Sequence, residues 1–102
     1  MTLKAICRIG DHVTGTCTAH DTPRTFTGYW TVGSTYVKAD GIGVVRKDDT
    51  GVTDCGHTIK ATGTGSYSTA DNKLIHRVDD AVIVVEGGYG HSYEGSPNYN
   101  AE

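Results

Sequence analysis

Two short Cys/His pairs are the residues of this sequence best suited to binding a metal ion. They are Cys17-x-x-His20 and Cys55-x-His57. Zinc is well served by thiolate and imidazole ligands, and two such pairs can close a tetrahedral site. Each pair is a weak motif by itself, and the alternative is two ordinary buried cysteines and two surface histidines. Together the pairs predict one bound zinc ion, with iron or another transition metal as the alternative cofactor.

The remaining histidines and cysteine divide into one further candidate ligand and three residues with other roles. His91 follows a glycine-rich segment and is the further candidate, with a solvent-facing loop histidine as the alternative. We expect His12 at the surface. We expect Cys7 and His76 in packing positions, because Val45 fills the same place in a repeat described next. The total of three cysteines is odd, which argues against a framework made only of disulfides.

An internal repeat organises the chain. An Arg-x-x-Asp pattern occurs at Arg8–Asp11, Arg46–Asp49 and Arg77–Asp80, and a Gly-Ser pair recurs at Gly33-Ser34, Gly65-Ser66 and Gly95-Ser96. Cys17 and Cys55 each lie six residues after the aspartate of a copy, so the two Cys/His pairs occupy equivalent positions. A single active site does not need three copies of an Arg/Asp pair. We therefore expect these residues to anchor turns through charge-assisted hydrogen bonds, and we expect no enzymatic activity.

Turn signals and hydrophobic alternation give each unit a β reading: strand, tight turn, strand, Arg-x-x-Asp, loop, and a strand leading to the next Gly-Ser pair. Asp40-Gly41 is a strong signal for a two-residue hairpin turn, and Asp71-Asn72 is a weaker one. Residues 57–64 alternate between two faces, which is typical of a half-buried strand. The third Gly-Ser unit stops soon after it begins. We expect its missing strand to be supplied by packing on something else.

Composition agrees with a small all-β protein. The 102 residues include 14 glycines, only 36% are hydrophobic, and the formal net charge is −3. This length predicts a single domain spanning residues 1–102. The repeat and its turn signals predict three short β-hairpin units with long loops and pseudo-threefold spacing. The negative charge argues against nucleic acid as a partner. We find no apolar run long enough to span a membrane and no apolar signal-peptide core.

The ordered threefold recurrence of these motifs resembles the PAAR-repeat proteins. The resemblance extends from Ile6 to Asn100 and includes the Cys17/His20 and Cys55/His57 loops. Ala5-Ile6-Cys7-Arg8 stands where the family has Pro-Ala-Ala-Arg. Asp48 and Asp79 stand where the family usually has glycine. If that position needs a positive φ, aspartate tolerates it better than most residues, though less well than glycine.

The resemblance implies a conical, non-enzymatic structural tip that is stabilised by one metal ion. Such a protein caps and sharpens the trimeric β-helical spike of a contractile phage-tail baseplate or a type VI secretion system for membrane piercing. Because three pseudo-equivalent units let one chain present an approximately threefold face, we expect one cap per trimer and a monomer in isolation. The resemblance also implies transient contact with the target membrane. The location would be the virion tail tip, or the bacterial cytoplasm before secretion.

The ligand set differs between the resemblance and the local spacing. The family pattern of three histidines and one cysteine implies His20, His57, His91 and Cys55. The spacing of the two pairs favours Cys17, His20, Cys55 and His57, and we favour this second set.

Two other classes of protein stay open. One is a small extracellular glycan-binding β module, in which Tyr29, Trp30 and neighbouring residues form a sugar platform. The other is a metalloenzyme at the Cys/His site, which would need an open coordination position and a general base.

Overall fold

The computed structural model describes residues 4–19, 21–62 and 69–101. Within these ranges the chain forms β-strands and no helix, which confirms the all-β prediction. Among the described residues, nothing helical has the length and apolar character needed to traverse a bilayer. The strands in chain order are β1 (Lys4–Ala5), β2 (His12–Cys17), β3 (Arg24–Trp30), β4 (Lys38–Ala39), β5 (Ile42–Gly43), β6 (Thr50–Thr53), β7 (Thr58–Ala61), β8 (Thr69–Ala70), β9 (Lys73–Leu74), β10 (Ala81–Val84), β11 (Gly88–Ser92) and β12 (Asn100–Ala101).

Six of these strands close into an antiparallel barrel. The order around the barrel is β2, β3, β6, β7, β10 and β11, and β11 pairs back with β2. The strands therefore form three hairpins, β2–β3, β6–β7 and β10–β11, placed side by side. Because all three run in the same sense, their connections meet at one end of the barrel. We call this end the turn end. We call the opposite end, where the hairpins start, the ribbon end, after the three two-stranded ribbons described below.

Each Arg-x-x-Asp copy is followed by a strand, where the sequence predicted a loop. β2, β6 and β10 each begin immediately after the aspartate. Their residues alternate in burial, as in β10, where Val82 and Val84 are buried and Ala81 and Ile83 are exposed. Closure of the barrel buries one face of these short segments, and that burial makes them strands.

Three two-stranded ribbons lie at the ribbon end: β4–β5, β8–β9 and β1–β12. The turn residues of the first two have positive φ, with 56° and 77° at Asp40 and Gly41 and 53° and 67° at Asp71 and Asn72. These angles are those of the mirror-image turns that suit two-residue hairpins, so both hairpin predictions are confirmed.

The third ribbon is made from the two ends of the described chain. Lys4 pairs with Ala101, and Ala5 pairs with Asn100. The expectation that something else supplies the missing strand was wrong, because the start of the chain supplies it. A circular arrangement brings these two strands together, although they lie at opposite ends of the described residues.

Each Arg-x-x-Asp copy forms the same charge-assisted contact. In the first copy, Arg8 Nε and Nη2 each donate to the Asp11 carboxylate at 3.0 Å, and the Arg8 backbone N donates to it at 2.8 Å. The other two copies repeat these three bonds at 2.8–3.2 Å. The residue before each aspartate has positive φ, namely 93° at Gly10, 74° at Asp48 and 72° at Asp79. The two aspartates therefore stand at a backbone position that favours glycine.

The axis of the repeat runs through the core at the ribbon end. The backbone nitrogens of Cys7, Val45 and His76 donate to the carbonyls of His76, Cys7 and Val45, respectively, at 3.1, 2.9 and 2.9 Å. These three bonds form a closed cycle, and all three side chains are completely buried. The equivalent positions of the three units thus meet at one point.

The barrel interior holds the main hydrophobic core. Its largest fully buried side chains are Trp30, Phe26 and Ile59. In β7, Ile59 and Ala61 are buried and Lys60 is exposed, as the alternation in residues 57–64 predicts; residues 63 and 64 lie outside the described part. Close packing of neighbouring strands also requires glycine at Gly15, where a Cβ would collide with the Tyr89 carbonyl oxygen.

Candidate metal centre

Three of the predicted ligands lie together at the turn end of the barrel. The Sγ atom of Cys17 lies 3.1 Å from Nδ1 of His57, and the Sγ atom of Cys55 lies 3.6 Å from the same nitrogen. All three ligand atoms lie within 4.8 Å of one another. Cys17 is completely buried, whereas Cys55 and His57 are half-buried at the rim. One thiol is thus held inside the barrel, and the other two ligands approach it from the surface.

The first ligand is positioned by the regular part of the barrel. Cys17 is the last residue of β2, where it pairs with Arg24 of β3 on one side and Gly88 of β11 on the other. A Cβ on Gly88 would lie 3.0 Å from the Cys17 Cα. The glycine therefore lets the two strands approach closely at the point where the barrel ends.

The other two ligands are positioned by the tight connection between β6 and β7. The Thr53 backbone N donates to the His57 carbonyl at 2.9 Å, and Gly56 N donates to the Thr53 carbonyl at 3.2 Å. Gly56 has a φ of 83°, a left-handed conformation that glycine adopts without steric cost. The turn reverses the chain within a few residues, and this reversal directs Cys55 and His57 toward Cys17.

The donor set fits a transition metal. Ordinary zinc–sulfur and zinc–nitrogen bond lengths in a tetrahedron put a ligand sulfur and nitrogen about 3.5 Å apart. The two observed S···N separations of 3.1 and 3.6 Å lie close to that value. Two thiols and an imidazole also form the soft donor set that selects zinc over the oxygen-seeking cations. Cys17, Cys55 and His57 would therefore hold such an ion, and a fourth ligand would complete the site.

The other two candidate ligands, His91 and His20, are not among the three residues of this group. His91 lies in β11, opposite Thr14 of β2, with its side chain exposed on the outer wall of the barrel. The group of three ligands does not include it, because an outward position on this strand faces away from the barrel interior. His20 lies outside the described residues.

Glu86 is a charged neighbour of the centre that the sequence pattern did not single out. Its Oε1 atom accepts a hydrogen bond from the Thr58 backbone N at 3.0 Å, which joins the third connection of the turn end to β7. This hydrogen bond, and to a smaller extent the charge of His57, lowers the pKa of Glu86. A carboxylate in the third connection therefore adds negative charge beside the metal-binding group.

The residues assigned to packing are buried as expected. Burial raises the pKa of the Cys7 thiol to about 12, so this cysteine stays protonated in the barrel core. His76 is completely buried and hydrogen-bonds through both ring nitrogens, to the Thr62 carbonyl and to Ser92 Oγ, each at 2.7 Å. Trp30 Nε1 donates to the same Ser92 oxygen at 3.2 Å.

The two aromatic residues suggested as a sugar platform differ in exposure. Trp30 is completely buried and therefore cannot contact a glycan, whereas Tyr29 is 46% exposed. His12 lies between Tyr29 and Tyr93 on the outer wall, and its Nδ1 atom lies 2.6 Å from Glu94 Oε1. The expectation of a surface position for His12 agrees with this arrangement.

Comparison with known proteins does not add a family. A scan of the chain against protein-family models gives no match. A search of the curated proteins finds no similar sequence either.

Proposed function

We propose that this protein is a non-enzymatic structural tip that caps a trimeric β-helical spike of a contractile injection machine, such as a phage-tail baseplate or a type VI secretion system. In this proposal the molecule is one PAAR-like domain with a single bound metal ion, for which zinc is the first choice. The observation that carries it is the combination of a threefold repeat at the ribbon end with three hairpin connections that converge at the turn end.

The ribbon end supports capping because a single chain presents three similar surfaces there. The three ribbons surround the hydrogen-bond cycle of Cys7, Val45 and His76. A trimer whose end has threefold symmetry can make the same kind of contact with each ribbon. The stoichiometry proposed is therefore one cap per trimer, with the cap a monomer in isolation.

The turn end supports the piercing role because the barrel strands end there and only the hairpin connections continue. The molecule measures 39 × 27 × 23 Å, so it is elongated. Few side chains are available at such an end to form a hydrophobic core, and a bound ion can replace part of that packing energy. Cys17, Cys55 and His57 would hold the ion, with His20 as the proposed fourth ligand. When bound, the ion supplies a cross-link between two connections.

The proposal is tested by mixing the protein with the trimeric β-helical spike of a contractile system and measuring the mass of the complex by light scattering. We expect one chain per trimer. Tyr36 is 87% exposed on the segment leading into β4, and Tyr36→Asp should weaken the complex. The matched control is Tyr89→Asp on the barrel wall, where Tyr89 is 65% exposed. A complex with three caps per trimer, or a stable trimer of the protein alone, would contradict the proposal.

Binding of a glycan remains the alternative function, and one observation favours it. Tyr29 of β3, His12 of β2 and Tyr93, which directly follows β11, form an exposed aromatic row. Aromatic rings of this kind can stack on the apolar faces of sugars. Glycan-array binding that is lost in Tyr29→Ala, together with no affinity for a spike, would support this alternative over the tip.

A further inference from the structure

The hydroxyl of Thr53 contacts both ligand-bearing residues of the β6–β7 connection. Its Oγ1 atom lies 3.1 Å from Cys55 Sγ and accepts a hydrogen bond from the His57 backbone N at 2.9 Å. The same hydroxyl can donate to the His57 carbonyl oxygen at 3.3 Å. Thr53 is 7% exposed, so these contacts are shielded from water. A single buried oxygen therefore joins the two ligands that follow it in the chain.

The hydrogen-bonding capacity of a hydroxyl decides what Thr53 does when a metal is bound. A hydroxyl has one proton to donate and lone pairs to accept with. The His57 N–H already occupies the acceptor side. A metal-bound cysteine is a thiolate, which has no proton and can only accept. The Thr53 proton can then turn to Cys55 Sγ, because the His57 carbonyl that it could otherwise reach also accepts from the Thr53 backbone N.

We propose that Thr53 is a positioning residue of the metal centre: it holds Cys55 Sγ by donating to it and holds His57 by accepting from its backbone. This inference rests on the proposed metal binding. Hydrogen bonds from neighbouring side chains to metal ligands orient those ligands, and their loss typically lowers metal affinity by about 10- to 100-fold.

The repeat itself argues that packing does not require this hydroxyl. Thr53 lies four residues after Asp49. The positions four residues after the aspartates of the other two Arg-x-x-Asp copies are Gly15 and Val84. Val84 is buried in the barrel core at 2% exposure. The fold therefore accepts valine, which has nearly the shape of threonine, at this position. Of the three equivalent positions, the hydroxyl occurs at the one that lies beside Cys55.

The test compares zinc affinity in the wild type, Thr53→Val, Thr53→Ser and the control Thr25→Val, whose threonine lies exposed on the outer wall of β3. Affinity is measured by competition with a chromogenic chelator. We expect Thr53→Val to bind zinc about 10- to 100-fold more weakly, and Thr53→Ser and Thr25→Val to bind like the wild type. The cobalt-loaded protein gives an independent readout. The thiolate-to-cobalt absorption band should shift in Thr53→Val and stay unchanged in Thr53→Ser.

The outcomes separate this inference from the metal proposal. A wild type that binds no zinc overturns both. A wild type that binds zinc, with Thr53→Val equal to it in affinity and in cobalt spectrum, overturns the role of Thr53 alone. If Thr53→Val does not fold, Thr53→Ala removes the same hydroxyl and is judged by the same two measurements.

Discussion

Cys17 Sγ and His57 Nδ1 lie 3.1 Å apart although 40 residues separate them in the chain. The contact exists because β2 and β6 start from equivalent copies of the repeat and run toward the same end of the barrel. Cys17 ends the first of these strands, and His57 follows the turn after the second. A metal-binding group can therefore arise from two weak local motifs once the barrel closes.

The first prediction concerns the ligand set. Protein purified without chelator should carry about one zinc ion per chain, measured by elemental analysis. Cys55→Ser should lose the metal and also lower the free energy of unfolding by about 3 kcal/mol or more, because the structural cross-link is lost. Cys17→Ser and His20→Ala should lose the metal as well.

The control for this prediction is His91→Ala, since His91 lies exposed on the outer wall. Its metal content should equal that of the wild type. Loss of metal in His91→Ala, with retention in Cys17→Ser, would instead support the three-histidine set that the family resemblance implies. A wild-type content well below half an equivalent would contradict the metal centre altogether.

The second prediction concerns acid and His76. Burial lowers the pKa of His76 below its ordinary value of 6.5, while the Thr62 carbonyl and Asp80 partly oppose this effect. The unfolded chain therefore takes up a proton near pH 6.5 that the folded chain does not. By linkage, stability is complete above this pH and falls as the pH drops toward the folded pKa.

Urea unfolding between about pH 7.5 and about pH 5.5 measures this effect. We expect the stability of the wild type to decline over this range and that of His76→Gln to decline less. The pKa values of Glu86 and Glu94 are lowered, by hydrogen bonds with Thr58 and His12 respectively, but these carboxylates act only below about 4.5. Equal slopes in the two proteins would show that His76 does not titrate on unfolding.

The third prediction concerns the left-handed residue Asp79, which has a φ of 72°. Asp79→Val should lower the free energy of unfolding by about 1–2 kcal/mol, because a branched Cβ clashes in this conformation. The free energy of unfolding of Asp79→Gly should be no more than about 1 kcal/mol below that of the wild type, since glycine tolerates this φ. The exposed Lys4–Asp79 pair, at 4.0 Å, adds little. Equal stability of the two variants in thermal unfolding would argue against a backbone origin.

The fourth prediction concerns strand packing at Gly15. A Cβ there would lie 2.5 Å from the Gly90 Cα and 2.9 Å from the Phe26 ring, so the β11 backbone would have to move. We expect Gly15→Ala to lower the free energy of unfolding by about 1–3 kcal/mol. Thr27→Ala, which changes an exposed residue of β3, should cost less than about 1 kcal/mol. Chemical denaturation of both variants decides this, and a Gly15→Ala protein as stable as the wild type would show that β11 adapts freely.

The sequence determined the features that depend on neighbouring residues. The Asp40-Gly41 and Asp71-Asn72 turns were predictable because their side chains tolerate positive φ. The Arg-x-x-Asp contacts were predictable because the aspartate three residues on can reach its own arginine. Two metal-binding pairs could be named because their residue types are the ligands that zinc prefers.

The tertiary structure decided everything that depends on closing the chain into a ring. The pairing of Lys4 with Ala101 could not be read from either segment, because a two-residue strand has no periodicity of its own. The separation of His91 from Cys17 was likewise undetermined. His91 follows glycines in the sequence, and only its position in β11 turns its side chain outward. The direction of a side chain in a barrel depends on strand register, and register is fixed by long-range pairing.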